Sequence, residues 1–189
     1  MAKLVLVKHA PPEITPGVVA HRWVLSAEGR DRCAWLADEL RAQGVSKLYS
    51  SLEPKALETA ALAAMGMGLE VRPRRDLHEN DRTGLAFGPV RGLTQRMRRF
   101  FEAPFELIVG EETAHAALER FESAVRAAAA EAPDQTIAIV THGTVLTLLT
   151  AKYNPIAAFE FWEALTLPSY VALNAATFTL DGTISKFPA

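Results

Sequence analysis

The sequence predicts an α/β fold: a three-layer sandwich with a mostly parallel central sheet and helices on both faces. Three observations carry this expectation. Short unbroken apolar runs recur at Lys3–Val7, Lys47–Ser50 and Ile137–Val140, and such runs are typical of strands buried on both faces. Amphipathic segments of helical period lie between them, and alternation of strand with helix implies parallel strands joined by crossovers. The chain has 189 residues, 49% of them hydrophobic, enough for one domain with a sizeable core. No repeat, low-complexity tract or Gly/Ser linker divides it, so residues 1–189 are read as a single domain.

The elements follow in order. After the first strand, a helix is expected from about Ala27 to Gln43. Ser26 can cap its start and Gly44 can end it. Cys33, Leu36, Ala37 and Leu40 share one face at helical spacing. Pro54 then opens a second helix, where the first turn tolerates a missing N–H. A long alanine-rich helix is expected from about Glu112 to Glu131, with Leu118, Phe121, Val125 and Ala128 as its inner stripe. After Val140 comes Thr141-His142-Gly143-Thr144 and another apolar helix. In the tail, Tyr170–Leu173 and Thr177–Leu180 alternate as strands do, and Asp181-Gly182 is the expected hairpin turn. The least regular stretch, 80–110, is a candidate lid or specificity insertion. It holds Arg82, Arg91, Arg96, Arg98 and Arg99 with Phe87, Phe100, Phe101 and Phe105.

Composition narrows the function. A net charge of −2 provides no basic field for nucleic acid or an anionic membrane surface. The apolar runs are too short to cross a bilayer. One cysteine, Cys33, rules out an internal disulfide framework and reads as a small core residue. The chain enters a strand at once, without a signal-peptide layout, so a cytoplasmic location is expected.

The chemistry-bearing residues gather where this fold class builds sites. Open α/β sheets bind ligands outside the carboxyl ends of their strands. His9 follows one predicted strand end and His142 follows another. Lys8 adjoins His9, and Lys55 lies just inside the helix after Ser50-Ser51. Gly143 allows close backbone approach at a helix N-terminus, where N–H groups favour anions. Glu79, in "DLHEN", supplies a carboxylic acid. Two imidazoles, two cations, an acid and backbone donors describe a phosphate site with a nucleophile.

These blocks resemble the histidine phosphatase superfamily, which includes the cofactor-dependent phosphoglycerate mutases. That family opens with a strand ending in Arg-His-Gly, matched here by Lys8-His9-Ala10. Its Ser-Ser-x-x-x-Arg-Ala-x-x-Thr-Ala block corresponds to Ser50-Ser51 through Lys55-Ala56 to Thr59-Ala60. Its acid follows a Leu, as Glu79 does in "DLHE", and its final Ser/Thr-His-Gly is Thr141-His142-Gly143. "LSAEGR" and "GEETAHAALERF" resemble two further family blocks. The resemblance implies a phosphoglycerate mutase-like fold and a phosphatase that hydrolyses a small phosphorylated metabolite. His9 would be the nucleophile that carries a phosphohistidine, Glu79 the proton donor, and His142 part of the phosphate cradle, an imidazolium if acidic neighbours support it. Lys8, Lys55 and Gly143 would bind phosphate, with Ala10, Arg82 and His78 as candidate substrate contacts. No cofactor or metal is implied, and the chain would act as a monomer or homodimer.

The departures are specific. Lysine replaces both phosphate-clamping arginines, exchanging a rigid fork for a flexible point charge. Alanine replaces the motif glycine. They keep a weakened or non-catalytic phosphate-binding relative in view, alongside a mutase.

Overall fold

Leu4, Val5, Leu6 and Val7 are all fully buried, although successive residues of a strand face opposite ways. Their strand must therefore be covered on both sides. Leu4 and Leu6 join an apolar cluster with Phe121, Val125 and Leu149, while Val5 and Val7 join another with Leu36, Leu40 and Ala60. Ile137 and Ile139 divide from Ala138 and Val140 in the same way. Two cores, one on each face of a shared sheet, make the three layers.

The computed structural model describes residues 2–82 and 92–188. Its elements run β1 (Lys3–Lys8), α1 (Ala27–Ala42), β2 (Lys47–Ser51), α2 (Pro54–Met67), β3 (Val71–Arg74), α3 (Leu93–Glu102) and α4 (Ala114–Ala130). They continue with β4 (Ile137–Thr141), α5 (Gly143–Tyr153), α6 (Ala158–Ala164), β5 (Ser169–Asn174) and β6 (Leu180–Lys186). The six-stranded sheet has the order β3-β2-β4-β1-β5-β6. β3, β2, β4 and β1 are parallel, and β5 and β6 add antiparallel strands beyond β1. Helices α1 and α2 cover one face and α3 to α6 the other, as the membership of the two clusters shows. Among the described residues, no helix is long and apolar enough to cross a membrane.

Local chemistry sets the boundaries. The Ser26 hydroxyl accepts the Gly29 N–H at 3.0 Å and starts α1. The Thr113 hydroxyl accepts the Ala116 N–H at 3.1 Å, so α4 begins two residues later than Glu112. Cys33 is buried, donates to the Gly29 carbonyl at 3.2 Å, and has its thiol pushed up to about 12 by burial and by the Glu58 charge. It is an inert core residue.

The C-terminal hairpin differs from expectation. The turn lies between Asn174 and Leu180, whereas Asp181-Gly182 sits inside β6, where the pairing register shifts. The Asn174 side chain accepts the N–H groups of Ala176 and Thr177 at 2.9 and 3.1 Å, closing the turn. Phe178 then takes a left-handed φ of 58° and buries its ring in the larger core. That burial outweighs the local Asp-Gly preference.

Residues 83–91, including Phe87 and Arg91 of the candidate lid, lie outside the described residues. Of the rest, 80–82 border the cavity described below, and 92–110 form α3 with its flanking residues and the loop after it. Met97 and Phe100 of α3 are core residues, and Phe101 packs against them. Arg98 and Arg99 pair with Glu160 and Glu106, and Arg96 donates to the Ile108 carbonyl.

Candidate active site

The register of β1 on β4 places Lys8 opposite Thr141. The next residue of each strand is a histidine, so both rings leave adjacent carboxyl ends side by side. Their centroids are 5.3 Å apart, edge to face at 63°. β2 pairs with the other edge of β4 and ends at Ser51, bringing Glu53 and Lys55 to the same crevice.

His9 Nδ1 lies 2.8 Å from the Ala10 carbonyl. A carbonyl only accepts, so Nδ1 carries the hydrogen and Nε2 keeps the lone pair. Burial, aided by His142 and Lys55, holds the His9 pKa well below the ordinary imidazole range. The ring is neutral near pH 7, as a nucleophile requires. His142 Nε2 shares a hydrogen bond with the Ser51 hydroxyl at 3.0 Å, and its Nδ1 has no hydrogen-bond partner among the described residues. Burial and the Lys55 charge also press the His142 pKa well below its usual value, against the pull of Glu79. The expected imidazolium is therefore a neutral imidazole: its buried site does not support the charge.

Glu79 caps α5. Its carboxylate accepts N–H groups from Thr144 at 3.1 Å, Val145 at 3.3 Å and Asn80 at 3.0 Å. Burial pushes its pKa up, but the Arg82 charge and these N–H donors oppose it, and the net direction is down. Glu79 is thus a carboxylate at rest. Arg82 bonds Asn80 Oδ1 at 2.8 Å and the Thr144 hydroxyl at 3.1 Å.

The two lysines are engaged. Lys55 Nζ lies 2.5 Å from Glu53 Oε2 and donates to the Ala20 carbonyl at 2.8 Å. Lys8 Nζ donates to the Leu165 carbonyl at 2.9 Å. Burial lowers the Lys8 pKa to about 8, with the Glu79 charge opposing it. A Cβ at Gly143 would stand 3.2 Å from Lys8 Cε, so this glycine makes room for the lysine stem.

One cavity of about 390 Å³ collects these groups. Of the sequence-expected residues, His9, Lys55, His78, Glu79, Arg82 and His142 line it, and Lys8, Ala10 and Gly143 do not. Ala10 is buried and its N–H donates to the Thr59 hydroxyl at 3.0 Å. Its φ is not positive, which is why alanine fits there. Among the described residues, no group of three or more His, Cys, Asp or Glu side chains is placed to hold a metal ion.

Two further parts of this site carry little signal in the sequence. His21 and Trp23 form a wall of the cavity, tied in by the bond from Lys55 to Ala20. Their only signal was an aromatic and a histidine in an irregular loop. The second part is the scaffold of the Glu79 loop. Arg120, on α4, donates to the carbonyls of Asp76, His78 and Glu79 at 2.9, 3.2 and 3.2 Å and pairs with Glu112 at 2.6 Å. Glu112 also accepts the Asp81 N–H at 2.9 Å. Gly110 completes the scaffold: its φ is +80°, and a Cβ there would stand 1.8 Å from the Asp81 carbonyl oxygen. Arg120→Met should remove these carbonyl bonds and strand the poorly exposed Glu112 carboxylate. The expected cost is about 3 kcal/mol, as for breaking a buried pair, read by urea unfolding. A change under about 0.5 kcal/mol would show that this scaffold is dispensable.

The fold matches a mycobacterial glucosyl-3-phosphoglycerate phosphatase with a TM-score of 0.80 and 17% identity, over 100% of both chains. It matches the Entamoeba histolytica phosphoserine phosphatase in complex with 3-phosphoglyceric acid with a TM-score of 0.79 and 15% identity, over 99% of this chain and 98% of the other. Bacillus stearothermophilus YhfR gives 0.73 and 22% identity, over 96% of each chain. No curated protein gives a significant match to the chain. The model of the histidine phosphatase superfamily (branch 1) matches residues 6–186, nearly the whole chain, and the protein belongs to that superfamily.

Proposed function

We propose that this protein hydrolyses phosphomonoesters of small molecules through a phosphohistidine on His9. One observation carries the reading: a neutral His9, its Nδ1 fixed by the Ala10 carbonyl, faces a shared cavity beside His142. The family and the small phosphorylated substrates in its relatives' names support the substrate class.

In the reaction, the lone pair on His9 Nε2 attacks phosphorus and the phosphorus–ester oxygen bond breaks. The leaving oxygen takes a proton and departs as the alcohol. Water then attacks phosphorus, the phosphorus–nitrogen bond breaks, a proton is lost to the base, and orthophosphate leaves. Lys55 and Arg82 would stabilise the equatorial oxygens, with Lys8 acting from behind the strand end. Glu79 would be the acid and then the base. Its resting charge is consistent with this role only if substrate binding changes it. A phosphoryl dianion beside a carboxylate raises the carboxyl pKa by like-charge repulsion, so the substrate would load the proton that it later accepts. The single cysteine fits a reducing compartment such as the cytoplasm.

Hydrolysis of phenyl phosphate and of an alkyl phosphate, by wild type and Glu79→Gln, tests this proposal. An alkoxide is a poor leaving group without a proton, whereas phenoxide is far less basic. The variant should lose about a hundredfold on the alkyl ester and about tenfold or less on the aryl ester. Equal losses would count against the acid role, and no turnover by wild type would remove the hydrolase. A second reading, a phosphate-ligand binder without turnover, is favoured by one observation: Lys8 and Lys55 stand where the family has two arginines, a flexible point charge in place of a rigid fork.

A further inference from the structure

Glu53 occupies the N-cap position of α2, yet its side chain makes no capping bond. A carboxylate at a helix start ordinarily accepts the free N–H groups there. This one turns into the cavity instead. Oε2 takes the Lys55 ammonium at 2.5 Å, and Oε1 takes the Glu79 N–H at 3.0 Å. Oε1 also lies 3.5 Å from His142 Nε2. The side chains of Glu53 and Lys55 are only 12% and 7% exposed. An ammonium, a backbone N–H and an imidazole edge thus converge on one two-oxygen anion.

That donor set is what an oxyanion of phosphorus would need beside His9. We infer that the Glu53 carboxylate is an internal competitor for the phosphoryl subsite and sets its affinity for dianionic phosphoryl ligands. The inference rests on the proposed phosphatase reading and deepens it. An entering dianion has to exchange with Glu53 for Lys55, and it meets three acidic residues, Glu53, Glu79 and Asp81, along the same cavity. Orthophosphate, the product of hydrolysis, faces the same competition, so Glu53 favours its release.

The test is titration of inorganic phosphate and orthovanadate by calorimetry, and as inhibitors of phenyl phosphate hydrolysis. Glu53→Gln keeps an acceptor for the Glu79 N–H and deletes the charge. It should bind both anions about tenfold more tightly than wild type, a gain of about 1.4 kcal/mol. In Glu53→Gln/Lys55→Gln that gain should vanish, because the released ammonium supplies it. A purely structural role for Glu53 predicts the opposite sign, since a disturbed pocket loses affinity. Unchanged or weaker binding in Glu53→Gln overturns the inference. Should that variant not fold, Glu53→Ala is read in the same way. Wild-type turnover decides the phosphatase reading separately. Tighter anion binding without turnover leaves Glu53 as the competitor and removes the hydrolase; turnover with unchanged affinity does the reverse.

Discussion

His9→Ala should lose phosphomonoester turnover by about a thousandfold or more, as expected for deletion of a nucleophile, and should keep its fold. The ring bonds the carbonyl of its own neighbour, Ala10, and touches His142 at its edge. The β1 ladder on β4 and β5 does not depend on the side chain. Truncation therefore removes the nitrogen proposed as nucleophile while the sheet and both cores remain. Phenyl phosphate hydrolysis, with circular dichroism and a thermal melt as controls, measures the effect. A folded variant with near-wild-type rates would end the proposal that His9 carries the phosphoryl group. Because Lys55, Arg82 and His142 remain, orthovanadate should still bind this variant, which separates lost chemistry from a collapsed pocket.

Acid should destabilise the protein well before its carboxylates titrate. His9 and His142 are both held well below the ordinary imidazole pKa, in each case chiefly by burial. The unfolded chain takes up protons on both rings near pH 6.5, and the native state does not. The unfolded state then binds more protons, so stability rises with pH through this range and is lost on going down. Urea unfolding at pH 7.5 and at pH 5 should therefore give a lower unfolding free energy at the acid value. His9→Ala should lose only about half as much, since one titrating ring is gone. A wild-type stability that is flat from 7.5 to 5 would show that the imidazoles take up protons as readily in the native state as in the unfolded chain. Glu79 acts with the same sign at lower pH: its depressed carboxyl contributes stability above the usual range that disappears as acid protonates it.

The residues that were easiest to read carry short-range patterns. The runs at Lys3–Val7 and Ile137–Val140 identified central strands, Ser26 and Pro54 identified helix starts, and the spacing of Cys33, Leu36 and Leu40 identified a buried face. The convergence of His9 and His142 was legible too, because each follows a strand end in a fold class that builds sites there. Harder features depended on competition. Asp181-Gly182 is a good local turn, but Asn174 and the burial of Phe178 placed the turn earlier. β3, with Pro73 among four residues, is an edge strand whose pattern alone is too weak to read. Arg120 carries no local signal beyond its place on a helix. Only the packing of α4 beside the Glu79 loop makes it a clamp on three carbonyls.

By itself the amino-acid sequence determined the layered α/β architecture, the order of its main elements and the two imidazoles at adjoining strand ends. Hydrophobic period, caps and strand termini are local properties, readable within a few residues of one another. The tertiary structure alone decided the charges in the cavity. It neutralised His142, ionised Glu79 against α5, turned Lys8 to the Leu165 carbonyl and laid the Glu53 carboxylate across Lys55. Those outcomes depend on desolvation and on which distant groups meet within a few ångströms, and neither quantity is encoded in the neighbourhood of any one residue.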